Sequence, residues 1–413
     1  MKVARFWSAG FLWSLLLAAI AGCDPDGADV EWPGTIETTA SGKVRVTNPA
    51  VPLWSDDDAW HLEREVVLGE ADGEAADVFA SISAIEADAA GNIYVLDRQN
   101  NDLRTFDATG GHVRTVGRSG EGPGEYTSAT GLRWLAEDSL LVIDQEGSRY
   151  SVLDAQGNHV RSVRRNLGFY GWVFSGGLNG DRVYEVSSAG REDDTPVLIG
   201  TPLREADADG RSPASMDTIR LARLDGPIFQ SYSMQSERGA IVMSVPFTGS
   251  RHYYLDGNAG LWHGHGGTPH LYHSTFGGDT LTEIVLGIQP APVSAEEVEQ
   301  WASRQSVERF KAMGGDLDLG RLPDTKPYYD GITVDPDGNI WLTLPATAQR
   351  AAFVVLDPDG RYLGRLQVDG VDRDEYVTPV VRSDRLYFVG RDELDVPRVY
   401  VYRIVRSGSE SVG

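Results

Sequence analysis

Only one cysteine, Cys23, occurs in the 413 residues, so no intramolecular disulfide can form and stability must come from the core. Basic residues are scarce: 37 Lys and Arg stand against 61 Asp and Glu, a formal net charge of −24. Such a surface repels phosphate backbones, which excludes nucleic acid as a partner. No Gly-x-Ser-x-Gly elbow is present, and no catalytic triad can be assigned. Histidines number 8, and no carboxylate or thiolate recurs at metal-ligand spacing around them.

What is present begins with a processing signal. Lys2 and Arg5 precede "FLWSLLLAAIA", Phe11 to Ala21, an apolar run too short to span a bilayer comfortably. It ends in "IAGC", Ile20 to Cys23, which resembles a bacterial lipobox, where cleavage leaves a cysteine that carries lipid. The expectation is a signal peptide over 1–23, export, and a membrane anchor through lipid on Cys23 with the body facing the periplasm. Residues 24–58 are polar and rich in Gly, Asp, Thr and Pro, and read as a flexible tether. A single domain over 59–407 and a tail over 408–413 complete the chain.

Within the domain the sequence repeats. "VLDRQNNDLRTFDATGGHVRTV" from Val95 aligns without gaps on "VIDQEGSRYSVLDAQGNHVRSV" from Val142, 47 residues on. "DAAGNIYVLD" at Asp88 returns as "DPDGNIWLTL" at Asp335, and "RTFDATGGHVRTV" at Arg104 as "VVLDPDGRYLGRL" at Val354. Each unit reads as four short strands with Asp-x-x-Gly turns, where Asp bonds its own backbone and Gly accepts positive φ. Four antiparallel strands per 40–50 residues is the pattern of a β-propeller blade. The fold class is therefore all-β, a six-bladed propeller with blades at about 80–116, 127–165, 170–224, 240–288, 328–368 and 377–405. Seven blades is the alternative. The last blade lacks a fourth strand, and "WHLEREVVLG", Trp60 to Gly69, is expected to supply it and close the ring. The glycine-rich "VGRSGEGPGEY", Val116 to Tyr126, precedes no helix and reads as a crossing between blades, not a phosphate loop.

"GRSGEGPGEY" together with "GNIYVLDRQNNDLRTFDATGGHVRTVG" resembles the NHL-repeat (TolB-like) six-bladed propellers, and more closely the bacterial six-bladed β-propeller lipoproteins. The resemblance is strong over 80–165 and 328–368 and weak over 170–288. It implies a fold and little about activity, since NHL-type propellers include protein- and RNA-binding modules and a few lyases and hydrolases.

Ligands of a propeller meet the face where crossings and second-to-third-strand loops gather. Arg98 and Arg149 are expected there as attractors for an anion, and Phe169 and Tyr170 in "NLGFYGW" as stacking surfaces for a sugar or peptide. Asp97 and Asp144 recur at the repeat period and read as blade-turn residues. Two insertions fall on this face, about 225–250 and 289–327. The second carries one helix over about 294–313, capped by Ser294 and Glu297, with Val298, Trp301, Val307 and Phe310 on one side. Five histidines cluster between His252 and His273. His263, His265 and His270 are the candidate ligands for a divalent ion, with ordinary polar histidines as the simpler reading, and no cofactor is expected otherwise. The function read from this is a non-catalytic envelope module for a protein, peptide or glycan. The alternative is a metal-assisted lyase or hydrolase at the channel mouth.

Overall fold

The computed structural model describes residues 32–55, 57–72, 76–136, 139–165, 176–179, 181–187, 197–203, 217–220, 230–236, 239–256, 260–346 and 350–406. Cys23, Phe169 and Tyr170 lie outside them, as do the first 31 residues and the tail from 407.

Six sheets of antiparallel strands form the body. Blade one runs Ile82–Ala87, Ile93–Asp97, Asp102–Phe106 and His112–Val116. Blade two runs Ala129–Ala136, Ser139–Asp144, Arg149–Asp154 and His159–Arg164. Blade three comprises Gly176–Asn179, Arg182–Ser187, Val197–Pro202 and Asp217–Arg220. Blade four comprises Arg251–Leu255, Gly260–His265, His270–Thr275 and Thr280–Val285. Blade five is Gly331–Val334, Ile340–Thr343, Arg350–Leu356 and Tyr362–Asp369. In blade six, Val380–Arg382 and the short Asp372–Arg373 both pair with Arg385–Arg391, which pairs with Pro397–Val405. The outermost strand of that sheet is His61–Leu68, paired antiparallel with Pro397–Val405.

Middle strands are sandwiched between neighbouring blades and so are apolar on both faces; "IYVLD" of blade one is buried throughout. Outer strands see solvent on one side, and "HVRTV" is exposed or half-exposed throughout. Hydrophobic layers fill the spaces between sheets. Tyr94 and Leu96 meet Leu140 and Val142 between blades one and two, and Trp341 and Phe353 meet Phe388 and Tyr402 between blades five and six.

Two kinds of aspartate explain the repeat. Asp88, Asp107, Asp154, Asp335 and Asp357 at the far-side turns, and Asp392 in the mouth-side loop of blade six, each accept the amides two and four residues on, at 2.8–3.0 Å. At the mouth side Asp97 accepts the Ala80 and Ser81 amides, and Asp144 those of Thr127 and Ser128. Both carboxylates are fully buried. They tie the end of each second strand to the incoming crossing, as befits blade-turn residues.

Three expectations need correction. Residues 24–58 are not a tether as a whole. Thr35–Thr38 and Val44–Thr47 form a hairpin, and the second strand adds in parallel to Thr280–Val285 of blade four. Buried Asn48 then accepts the Tyr362 amide at 2.6 Å and donates to the Gly360 carbonyl at 2.9 Å. Leu53 and Trp54 amides bond Tyr362 and Leu363 of blade five. The chain is thus a strap over the outer edges of blades four, five and six, and its alternating Val44 to Thr47 was the strand signal. Blade four begins at Arg251, not 240, because Ser231–Ser236 and Gly239–Ser244 form a separate hairpin. Tyr232 and Val245 of that insertion pack on Trp301, Val307 and Phe310 instead of on a blade. The helical insertion is two helices, α1 (Ala295–Ala302) and α2 (Gln305–Ala312), because Arg304 takes an extended conformation at φ −60°, ψ 139°. The Ser294–Glu297 capping box is present at α1.

Candidate functional site

The inner strands of the blades line a central channel, and their first residues form its mouth. His252 stands at the second position of blade four's inner strand. Asp330 directly precedes that of blade five, and Arg373 lies in the crossing into blade six. Arg373 donates to Asp330 at 2.7 Å. The Arg373 side chain is 2% exposed and that of Asp330 22%, so the pair sits sunk in the mouth. Asp330 Oδ1 and Arg373 Nε are both buried without a protein partner, and such atoms call for a guest that can both accept and donate. Burial outweighs the attraction of Arg373 and lifts the Asp330 carboxyl to about 7. Burial pushes His252 down to about 4, assisted by His265 and Arg373, so the ring is neutral at neutral pH.

Tyr376 completes the rim. Its side chain belongs to a residue 63% exposed, and with Thr378 it borders a small channel space of about 20 Å³ shared with Ser83, Thr130 and Arg133. Deeper in the channel Glu86 pairs with Arg133 at 3.0 Å, and burial raises its carboxyl despite that partner. The insertion approaches the same rim, since the charge of Arg304 acts on both Asp372 and Tyr376.

Of the residues expected at the site, Arg149 is turned inward. Its guanidinium bonds Asp144 at 3.1 Å and the carbonyls of Glu121 at 2.7 Å and Gly120 at 3.2 Å. It also donates to the Glu125 carbonyl. This fork is the spool on which "VGRSGEGPGEY" is wound. Gly117 has φ +89°, and a Cβ there would stand 2.7 Å from the Tyr126 ring. The glycines therefore serve the crossing, and Arg149 is a structural residue and not an anion attractor. Arg98 lies at the mouth end of blade one, its amide bonded to the Ser81 carbonyl.

His263, His265 and His270 lie on one sheet face without converging, and His252 and His273 lie on the other. His263 is sandwiched by Tyr253 and Tyr272, with ring centroids 6.5 and 5.6 Å away, and bonds Ser274 Oγ at 2.7 Å. Burial lowers His263 to about 4. His265 accepts the Gly267 amide at 3.0 Å, and His270 faces Glu283 at 3.3 Å. Among the described residues no three His, Cys, Asp or Glu are arranged to hold a metal ion. The glycines of "HGHGG" have their own reason. A Cβ on Gly264 would lie 2.0 Å from the Tyr329 hydroxyl, and one on Gly266 2.1 Å from the Tyr329 carbonyl oxygen. The crossing that carries Asp330 rests directly on them.

Asp330, Arg373 and Tyr376 were not singled out by sequence reasoning. "DRDEY", Asp372 to Tyr376, carries the signal, a charged run in a crossing that lacks the glycines of the first.

The DUF5128 family model, described as a 6-bladed beta-propeller, matches residues 77–164. No curated protein matches the chain. Among solved structures, a DUF4221-family member from Bacteroides vulgatus is 13% identical, with 85% of this chain and 100% of that one covered and a TM-score of 0.44. A Bacteroides fragilis protein described as exported is 11% identical, covering 88% and 100%, at a TM-score of 0.46. Virginiamycin B lyase from Staphylococcus aureus is 10% identical, covering 84% and 100%, at 0.41. With six antiparallel sheets around one channel and this family match, the chain is a six-bladed β-propeller.

Proposed function

We propose that this is an exported, lipid-anchored protein of the bacterial envelope that binds a peptide or glycan at its channel mouth without catalysis. The mouth pair Asp330–Arg373 is the observation that carries the reading, because each member keeps a buried polar atom with no protein partner. An amide group or a pair of sugar hydroxyls offers both a donor and an acceptor, and exposed Tyr376 offers a face for stacking. Rigid blades hold these groups in place, which lowers the ordering cost of binding. Anchorage rests on the lipobox-like "IAGC" at Ile20 to Cys23.

Peptide and glycan arrays probed with the purified protein test the reading. Binding should fall at least tenfold in Tyr376→Ala, whose exposed ring leaves the fold intact. Binding that is indifferent to both Tyr376→Ala and Arg373→Met refutes the mouth as the site. A second reading, a lyase or hydrolase, is favoured by one observation: a carboxyl near neutrality suits proton transfer. Turnover of the bound molecule, abolished in Asp330→Asn, would establish that reading in place of the first.

A further inference from the structure

A second cleft, of about 150 Å³, lies between the outer face of blade five and the crossing that enters it. Its floor follows from strand register. Arg365 and Gln367 stand two apart on the outer strand, opposite Val354 and Ala352, and Arg350 pairs with Asp369 at the end of the same ladder. Small Ala352 leaves room above the floor. The opposite wall is the crossing, with Gln289, Lys326 and Tyr328, stiffened by Pro290 and Pro327.

Donors dominate this cleft in a chain of net charge −24. Lys326 is buried and bound to Glu297, so its charge is spent locally. Arg350 holds Asp369 at 2.6 Å, with both side chains more than half exposed, and a pair so wet is readily outcompeted. Arg365 is exposed and, among the described residues, pairs with no carboxylate. Two exposed glutamine amides and a half-buried tyrosine surround it. A guanidinium fork suits a carboxylate, planar amides suit hydroxyl pairs, and the open cleft suits a single sugar ring of a longer chain.

We infer that this cleft is a binding site for a uronate-bearing oligosaccharide, with Arg365 gripping the carboxylate and Gln289, Gln367 and Tyr328 holding the ring. The site is independent of the mouth and stands or falls without it. Calorimetric titration tests it with oligomers of galacturonate, glucuronate and mannuronate, their methyl esters, inorganic phosphate, and a hexaglutamate peptide. One uronate oligomer should bind saturably, its methyl ester at least tenfold more weakly. Arg365→Glu should lose that binding, as should Gln367→Ala in part, while thermal unfolding of both variants stays unchanged because both side chains are exposed. Failure of all three uronates, equal binding of an ester, retention in Arg365→Glu, or preference for phosphate or hexaglutamate overturns the proposal.

Discussion

His263 shows how one buried side chain, with His252 beside it in effect, weakens this fold toward acid. Its pKa falls from 6.5 to about 4 because the ring is buried between two tyrosines. The unfolded chain therefore binds the proton more readily, and stability present above pH 6.5 is lost as pH falls toward 4. Asp330 acts in the opposite sense, since its raised carboxyl makes the folded state the better proton holder between about pH 4 and 7. In His263→Gln, which can still bond Ser274, the acid loss should shrink by roughly 3 kcal/mol at most, at 1.36 kcal/mol per pKa unit. Denaturant unfolding at pH 7.5 and 4.5 measures it; an unchanged difference would deny His263 that role. The same scale decides what the sequence disclosed. Asp97 and Asp144 were legible because every copy needs its crossing tied down. Asp330 and Arg373 were not, because each occurs once, off the repeat, and acquires meaning only beside a different blade. Arg149 misled for the converse reason: a cation near the mouth looks available until the carbonyls around it are known.

Among elements, the strap over residues 33–60 departs furthest from expectation. Its polar composition imitates a linker, yet the amides of Asn48, Leu53 and Trp54 and one buried side chain are committed to blades four and five. Asn48 is the rivet. Asn48→Ala leaves the Tyr362 amide and the Gly360 carbonyl unpartnered, at a cost of about 1–3 kcal/mol. Urea unfolding reads this directly, and a loss below a few tenths would mean the strap lies loose. Trp54 reinforces it, since Gly364 leaves the space where its ring rests: a Cβ there would stand 2.2 Å from that ring. The helices illustrate a subtler gap. Trp301, Val307 and Phe310 do share a buried side, but the periodicity hid a break at Arg304, where one extended residue turns one helix into two.

For the whole molecule, blade number was legible wherever turns carried the Asp-x-x-Gly signal. It blurred over 170–288, where insertions outweigh repeats and the hairpin Ser231–Ser244 imitates part of a blade. The last sheet joins an early strand to the last described one: Arg403 pairs with Glu63 across 340 positions. Deleting residues 397–413 removes the strand on which His61–Leu68 rests. The truncated protein should lose its cooperative unfolding transition and its near-ultraviolet dichroism, and a sharp transition near the parent's midpoint would contradict this.

That union also orders events in time. A ribosome makes His61–Leu68 before any blade and its partner Pro397–Val405 after five of them, so that strand waits, unpaired, while the blades between are made. The layer between blades six and one cannot form before Pro397–Val405 has been made. A growing chain of this kind can lay its inner blades on one another as they appear, as the shared layer of blades one and two allows, but its ring stays open until that strand is made.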